Sequence, residues 1–221
     1  MRETANELVA SMGLIAAMRV ALVRNKLLIS VVAMTFFAII ILSAVVAYAV
    51  LVTSPDLMKG FEGVVGSARS YVAIPPPYTK NLYLLILLNN IGHFWDPVRV
   101  WVWVPFIGAF SLGYELLLNA VVIGAVISFT SLMKGALYTI AGLTPHGVFE
   151  IPAFILEFAG LARWHVTTTR ALYGKLSGRS VDRPLLVEGV KDTLMLSLLS
   201  VVLFVIAAYF ETYVTPRFLG L

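Results

Sequence analysis

Apolar residues occur along this chain in long blocks, with polar residues between the blocks or singly within them. Two blocks, 27–52 and 193–214, carry almost no charge. A helix rising about 1.5 Å per residue over about 20 residues crosses a hydrocarbon core of roughly 30 Å. Before the first block, Leu8, Met12, Ile15, Arg19 and Leu22 recur at helical spacing, predicting an amphipathic helix over 1–26 that lies on the inner membrane surface or binds a soluble partner. Residues 53–81 read as a polar loop stiffened by Pro75, Pro76 and Pro77. The apolar run 82–91 is too short to cross alone. Asp96-Pro97 then reads as a helix start, so 82–113 is taken as one broken crossing. The next span is 115–132, closed by Lys134 and Gly135, and 136–142 forms a short connector that is either simple or re-entrant. Thr144-Pro145 is read as the start of a span over 145–163, kinked at Pro152, and the last span is 193–214.

Composition reinforces this pattern. The chain has 221 residues, 60% apolar and 13% charged, where a soluble domain carries about 25% charge. The fold class is therefore an all-α polytopic membrane bundle of about five spans. It has a broken second span and two regions, the 1–26 arm and the 27–221 bundle. The net charge of +4 does not imply nucleic acid, because the basic residues collect where membrane topology places them. Arg19, Arg24 and Lys26 precede the first span; Arg163, Arg170, Lys175, Arg179, Arg183 and Lys191 fill the segment before the last. Five crossings put both groups in the cytoplasm, with the C-terminus outside the cell membrane. Four or six crossings would separate them. The 1–25 segment lacks the compact apolar core of a cleaved signal peptide.

Ionisable residues inside spans are informative because each needs a partner or water. His146 and Glu150 share one helix face, which continues through Ala153, Glu157, Gly160 and Trp164. In the last span Ser197, Ser200, Phe204, Ala208 and Glu211 form another face. The opposed directions of these spans predict His146, Glu150 and Glu211 at one depth near the outer leaflet. Glu157 lies about 10 Å deeper. Asn89 and Asn90 can reach the outer level; Asn119, four residues after Glu115, reads as interhelical glue. Arg99 needs a polar partner or a wet cleft. Ala120, Gly124 and Ser128 make a smooth face for helix packing, within one chain or between copies. The polar cluster fits three chemistries: a clamp on kinked helices, proton or ion coupling, or a weakly indicated zinc or manganese site.

Catalytic inventories come up empty. The sequence has no cysteine, no His-Glu-x-x-His, no Gly-x-Ser-x-Gly, no phosphate-binding Gly-x-x-x-x-Gly-Lys and no adjacent glutamate pair. No catalytic residue, cofactor or metal is assigned.

The run Leu143-Thr144-Pro145-His146-Gly147-Val148-Phe149-Glu150-Ile151-Pro152-Ala153, followed by Ala159-Gly160-Leu161, resembles the signature of the stage II sporulation protein M family. Asn89-Asn90, Asn119 with Gly124, and Glu211 resemble further family positions, so the likeness runs from about Leu82 to Pro216. It implies a five-span membrane protein similar to an anchor for a cell-wall-degrading complex, with a role wider than sporulation. Ala120 and Glu157 depart from the pattern, standing where Gly and a small residue are usual. The expectation is a non-enzymatic scaffold in envelope remodelling whose partners are the lipid bilayer, other envelope proteins and other copies of itself. The alternatives are a proton- or ion-coupled transporter and an intramembrane metal-dependent hydrolase. His146, Gly147, Glu150, Glu211, Asn89 and Asn90 form the candidate cluster, with Glu157 and Asn119 secondary.

Overall fold

The structure, a computed structural model, describes residues 13–54, 56–57, 59–60 and 74–220. Residues 1–12 of the expected amphipathic arm, and most of the 53–81 loop with Glu62 and Arg69, lie outside the described residues. Regular structure among the described residues is helical throughout: α1 (Leu14–Arg24), α2 (Lys26–Thr53), α3 (Lys80–Asn90), α4 (Ile107–Lys134), α5 (Ala136–Leu176) and α6 (Arg183–Tyr209). Helix α6 runs on through a π turn, Phe210–Val214, into α7 (Thr215–Phe218). Among the described residues, four helices are long and apolar enough to cross a membrane: α2, α4, α5, and α6 with its extension.

The expected broken element 82–113 is broken more thoroughly than its apolar content implies. Helix α3 stops at Asn90, two 3-10 segments follow at Gly92–Phe94 and Arg99–Trp103, and 107–113 already belongs to α4. There is no boundary between 113 and 115. The break falls at Phe106, which has φ 67°. Asp96 does open a turn, its Oδ1 accepting the Val98 N–H at 2.8 Å, but Pro105 stops the chain from winding on as a helix.

The fourth span also differs. Helix α5 begins at Ala136, so the connector 136–142 is its first two turns and Thr144-Pro145 lies inside it. The true break is Gly135, whose φ of 88° is left-handed and suits a residue without a Cβ. Two long helices therefore meet at a single residue. Pro145 and Pro152 remain within helix because apolar surroundings leave the chain no better hydrogen-bonded alternative. The polar segment expected over 163–192 is mostly helical, and the actual turn is 177–182.

The chain forms two compact units. One comprises residues up to Met34, His93–Gly113 and Pro152–Val202; the other comprises Thr35–Gly92, Tyr114–Ile151 and the residues from Leu203 on. In the first, Ala21, Val32, Val102, Ala153, Phe158, Leu161 and Leu196 form the buried apolar core. In the second the core includes Phe36, Ile40, Ala120, Phe204 and Ala208. The expected small-residue face packs here within one chain. Ser43 Oγ donates to the Ala120 carbonyl at 3.4 Å and Ser128 Oγ to the Ala44 carbonyl at 2.6 Å. A Cβ on Gly124 would collide with Ser43 Oγ and the Ile40 carbonyl, so α2 and α4 can touch only because that position is bare.

Candidate functional site

Helix α5 carries His146 and Glu150 one turn apart, and the π turn after α6 carries Glu211. One ligand atom from each of the three lies within 4.8 Å of the others. His146 Nε2 is 3.7 Å from Glu150 Oε2, and the side chains are 11% and 22% exposed, so the group is largely shielded from its surroundings. His146 Nδ1 and Thr215 Oγ1 are hydrogen-bonded at 3.2 Å, which leaves Nε2 facing the carboxylate. Asn90, at the end of α3, donates from Nδ2 to Glu150 Oε1 at 3.1 Å. Four elements of one unit thereby converge: α3, α5, the π turn and α7.

The geometry of the last helix has a sequence cause. Pro216 has no N–H to donate to the Thr212 carbonyl four residues back. The Tyr78 N–H takes that place, at 3.2 Å, from the turn before α3. Freed from the regular ladder, the backbone widens into a π turn over Phe210–Val214, a feature that recurs at functional sites. Phe149 and Phe210, with ring centroids 4.9 Å apart, hold its start against α5.

The other expected residues are placed as follows. Asn89 Nδ2 faces Asn90 Oδ1 at 3.5 Å, supporting the neighbour that meets Glu150. Gly147 is half-buried, and a Cβ there would meet only Ile151 Cδ1, at 4.0 Å, so close packing does not require the glycine. Asn119 donates to the Glu115 carbonyl of its own helix at 2.8 Å, a bond within α4 and not the interhelical one expected.

Glu157 belongs to a different group, which sequence reasoning missed. It is fully buried, and its Oε1 lies 2.9 Å from His93 Nδ1, with the Phe158 ring edge-on to the imidazole. The irregular 93–103 backbone lacks a helical ladder, and nearby side chains serve its carbonyls instead. Trp103 Nε1 donates to His93 O, Trp164 Nε1 to Trp103 O and His165 Nε2 to Val102 O, each at 2.8 Å. His93 gave one signal in the sequence, an imidazole in an apolar stretch just after a helix end. The same unit holds a third group, in which Arg24 Nη1 is 2.9 Å from Asp192 Oδ1, Arg163 Nη2 is 3.5 Å from Asp192 Oδ2, and Asn25 Nδ2 donates to the same carboxylate at 3.0 Å.

Among the described residues, only the His146–Glu150–Glu211 group resembles a cation site. Ligands about 2.0 Å from a tetrahedral ion sit roughly 3.3 Å apart, so the 3.7 Å pair is nearly in place and the wider spacing needs a modest closure. Thr215 and Asn90 orient the histidine and a glutamate in the way outer partners orient metal ligands.

Comparison with known proteins adds three findings. The sequence model of the family described as Stage II sporulation protein M matches residues 31–216. An uncharacterized protein of Methanocaldococcus jannaschii is 36% identical over 104 residues, 47% of this chain and 56% of that protein, so the match spans little over half of the relative's length. No solved structure matches.

Proposed function

Because this chain belongs to the Stage II sporulation protein M family, we propose that it is a non-enzymatic, multi-pass scaffold of the cell membrane that gathers envelope proteins during remodelling. The observation that carries this reading is how the intramembrane polar groups are used. Asn90 meets Glu150, His146 meets Thr215 and Glu157 meets His93, all within the chain. The long helices meanwhile present apolar side chains outward, such as Val31, Met34, Phe37 and Ile41 on α2 and Leu117, Leu118, Val121 and Val122 on α4. Polar groups closed on one another lock helices together, and an apolar exterior suits lipid and helical partners.

The topology belongs to the same proposal: five crossings, N-terminus inside, C-terminus outside. Its support is the Arg24–Asp192–Arg163 network, which joins the end of α1, just before α2, to α5 and α6 at one level. Residues 24 and 163 then share a side of the membrane, so an even number of crossings separates them. With α2, α4 and α5 counted, the 80–106 stretch supplies the fourth. The basic residues fall inside, as the positive-inside rule asks.

Affinity capture of the full chain from mildly solubilised native membranes tests the scaffold. A discrete set of envelope proteins should co-purify, and His146→Gln should keep them while the protein stays folded. Absence of any specific partner, together with proton or ion flux in reconstituted liposomes, would replace the scaffold with the transporter reading. The convergence of three ligand atoms favours a second reading, in which His146, Glu150 and Glu211 hold a divalent cation. Elemental mass spectrometry of the detergent-purified protein beside His146→Ala decides it. About one zinc or manganese per chain, lost in the variant, establishes a metal centre; background levels in both leave the polar clamp.

A further inference from the structure

At the opposite end of α5 from Gly135, Arg163, Thr167, Arg170 and Gly174 recur at spacings of three and four and make one stripe of the helix. This stripe faces the 179–186 segment across a cavity of about 320 Å³, to which Arg179 and Ser180 contribute from the turn. Three arginines, with Thr167, Tyr173 and Ser180, are among the residues that line this cavity. Asp182 is the lone acid in that lining, and its Oδ1 is engaged by the Leu185 N–H at 3.1 Å as the cap of α6. Arg163 is shared with Glu188 at 3.7 Å and Asp192 at 3.5 Å. Among the described residues, Arg170 and Arg179 have no carboxylate partner.

We propose that this cavity binds a phosphate group, with Arg170 and Arg179 as its principal ligands. Guanidinium is a planar fork of N–H donors that matches phosphate oxygens two at a time, and hydroxyls complete such a shell. Arg170 and Arg179 are exposed and border a pocket of a size that suits a small polar ligand, so their guanidinium groups are open to one. The α6 N-terminus beside it adds favourable dipole. The phosphate has two sources: the headgroup of an anionic phospholipid at the inner surface, or a soluble phosphomonoester. The lipid source rests on the topology proposed above, whereas the anion chemistry does not.

Detergent-purified full-length protein, monitored by its thermal midpoint, tests the proposal with three probes: dioleoylphosphatidylglycerol, dioleoylphosphatidylcholine and glycerol 3-phosphate. Phosphatidylglycerol or glycerol 3-phosphate should raise the midpoint at concentrations where phosphatidylcholine does not. R170Q/R179Q should weaken the effect by about tenfold or more, the scale of losing charge-assisted hydrogen bonds. Both side chains are exposed and, among the described residues, have no carboxylate partner, so the double variant should melt like the wild type without ligand; if it does not, Arg170→Lys, which keeps charge but loses the fork, serves in its place. A response to the lipid alone assigns the site to the membrane surface, and a response to glycerol 3-phosphate alone assigns it to a soluble ligand. Equal stabilisation by phosphatidylcholine, no response to any probe, or an undiminished response in the variants overturns the proposal. If phosphate binds while partners fail to co-purify, the scaffold is lost and this site stands.

Discussion

Glu157 and His93 are the residues whose replacement should cost most per atom. The pair is buried, with a 2.9 Å contact, and truncating one member leaves the other without its partner in an apolar core. Glu157→Ala should therefore destabilise by about 3–5 kcal/mol, and Glu157→Gln by well under half of that, since the amide still meets the imidazole. The difference is readable as thermal midpoints in one detergent. At this scale the sequence was half legible. His146 and Glu150 share a face by spacing alone, and the opposed directions of two helices brought Glu211 to their level. His93 was not legible as the partner of Glu157, because the chain between Asn90 and Phe106 follows no period that would relay direction. The burial of Asp192 was not legible for a similar reason: a charge at the margin of an apolar block does not show which side will bury it.

Among the elements, α2 and α4 rest on a glycine contact that tolerates no addition. Gly124→Ala places a methyl group against Ser43 Oγ and the Ile40 carbonyl, and the helices must separate. The expected cost is about 1–3 kcal/mol, with more for Gly124→Leu; Gly147→Ala, where a Cβ has room, should change little. Chemical denaturation of the three variants side by side ranks them. The Ala120-Gly124-Ser128 stripe could be read from its spacing, though not whether its partner was this chain or another copy. Helix ends were less legible. Lys134-Gly135 signalled a stop correctly, since only a residue at ease with positive φ ends a helix so abruptly. Thr144-Pro145 carried an equally good start signal and lies within α5. Capping chemistry is a local preference, and the burial of polar backbone in an apolar setting outweighs it.

For the whole molecule, the apolar blocks made a helical membrane protein plain, while the number of crossings hinges on one stretch that is not a long helix. Four helices among the described residues are long enough to cross, and the 80–106 stretch decides between even and odd. The natural absence of cysteine makes the count directly measurable. Lys80→Cys at the start of α3 and Lys134→Cys at the end of α4 are both exposed and have the 80–106 stretch and α4 between them, so with five crossings both should label in intact cells with an impermeant maleimide. Labelling of one variant alone would remove the 80–106 crossing, and labelling of neither would invert the chain. Sequence alone favoured five because basic residues cluster at two places. The ion pairs of Arg24 and Arg163 with one aspartate supply a reason in contacts for the same number.

The π turn bears on how relatives of this chain should be aligned. Such a turn holds one more residue than an α-helix of the same rise, so everything after Val214 is rotated by about 100° from where a regular helix would carry it. Thr215 meets His146 only because of that offset. A relative whose last helix stays regular would need one residue fewer between its counterparts of Glu211 and Thr215. A single-position gap there, often treated as alignment noise, would then mark which members of the family share this arrangement.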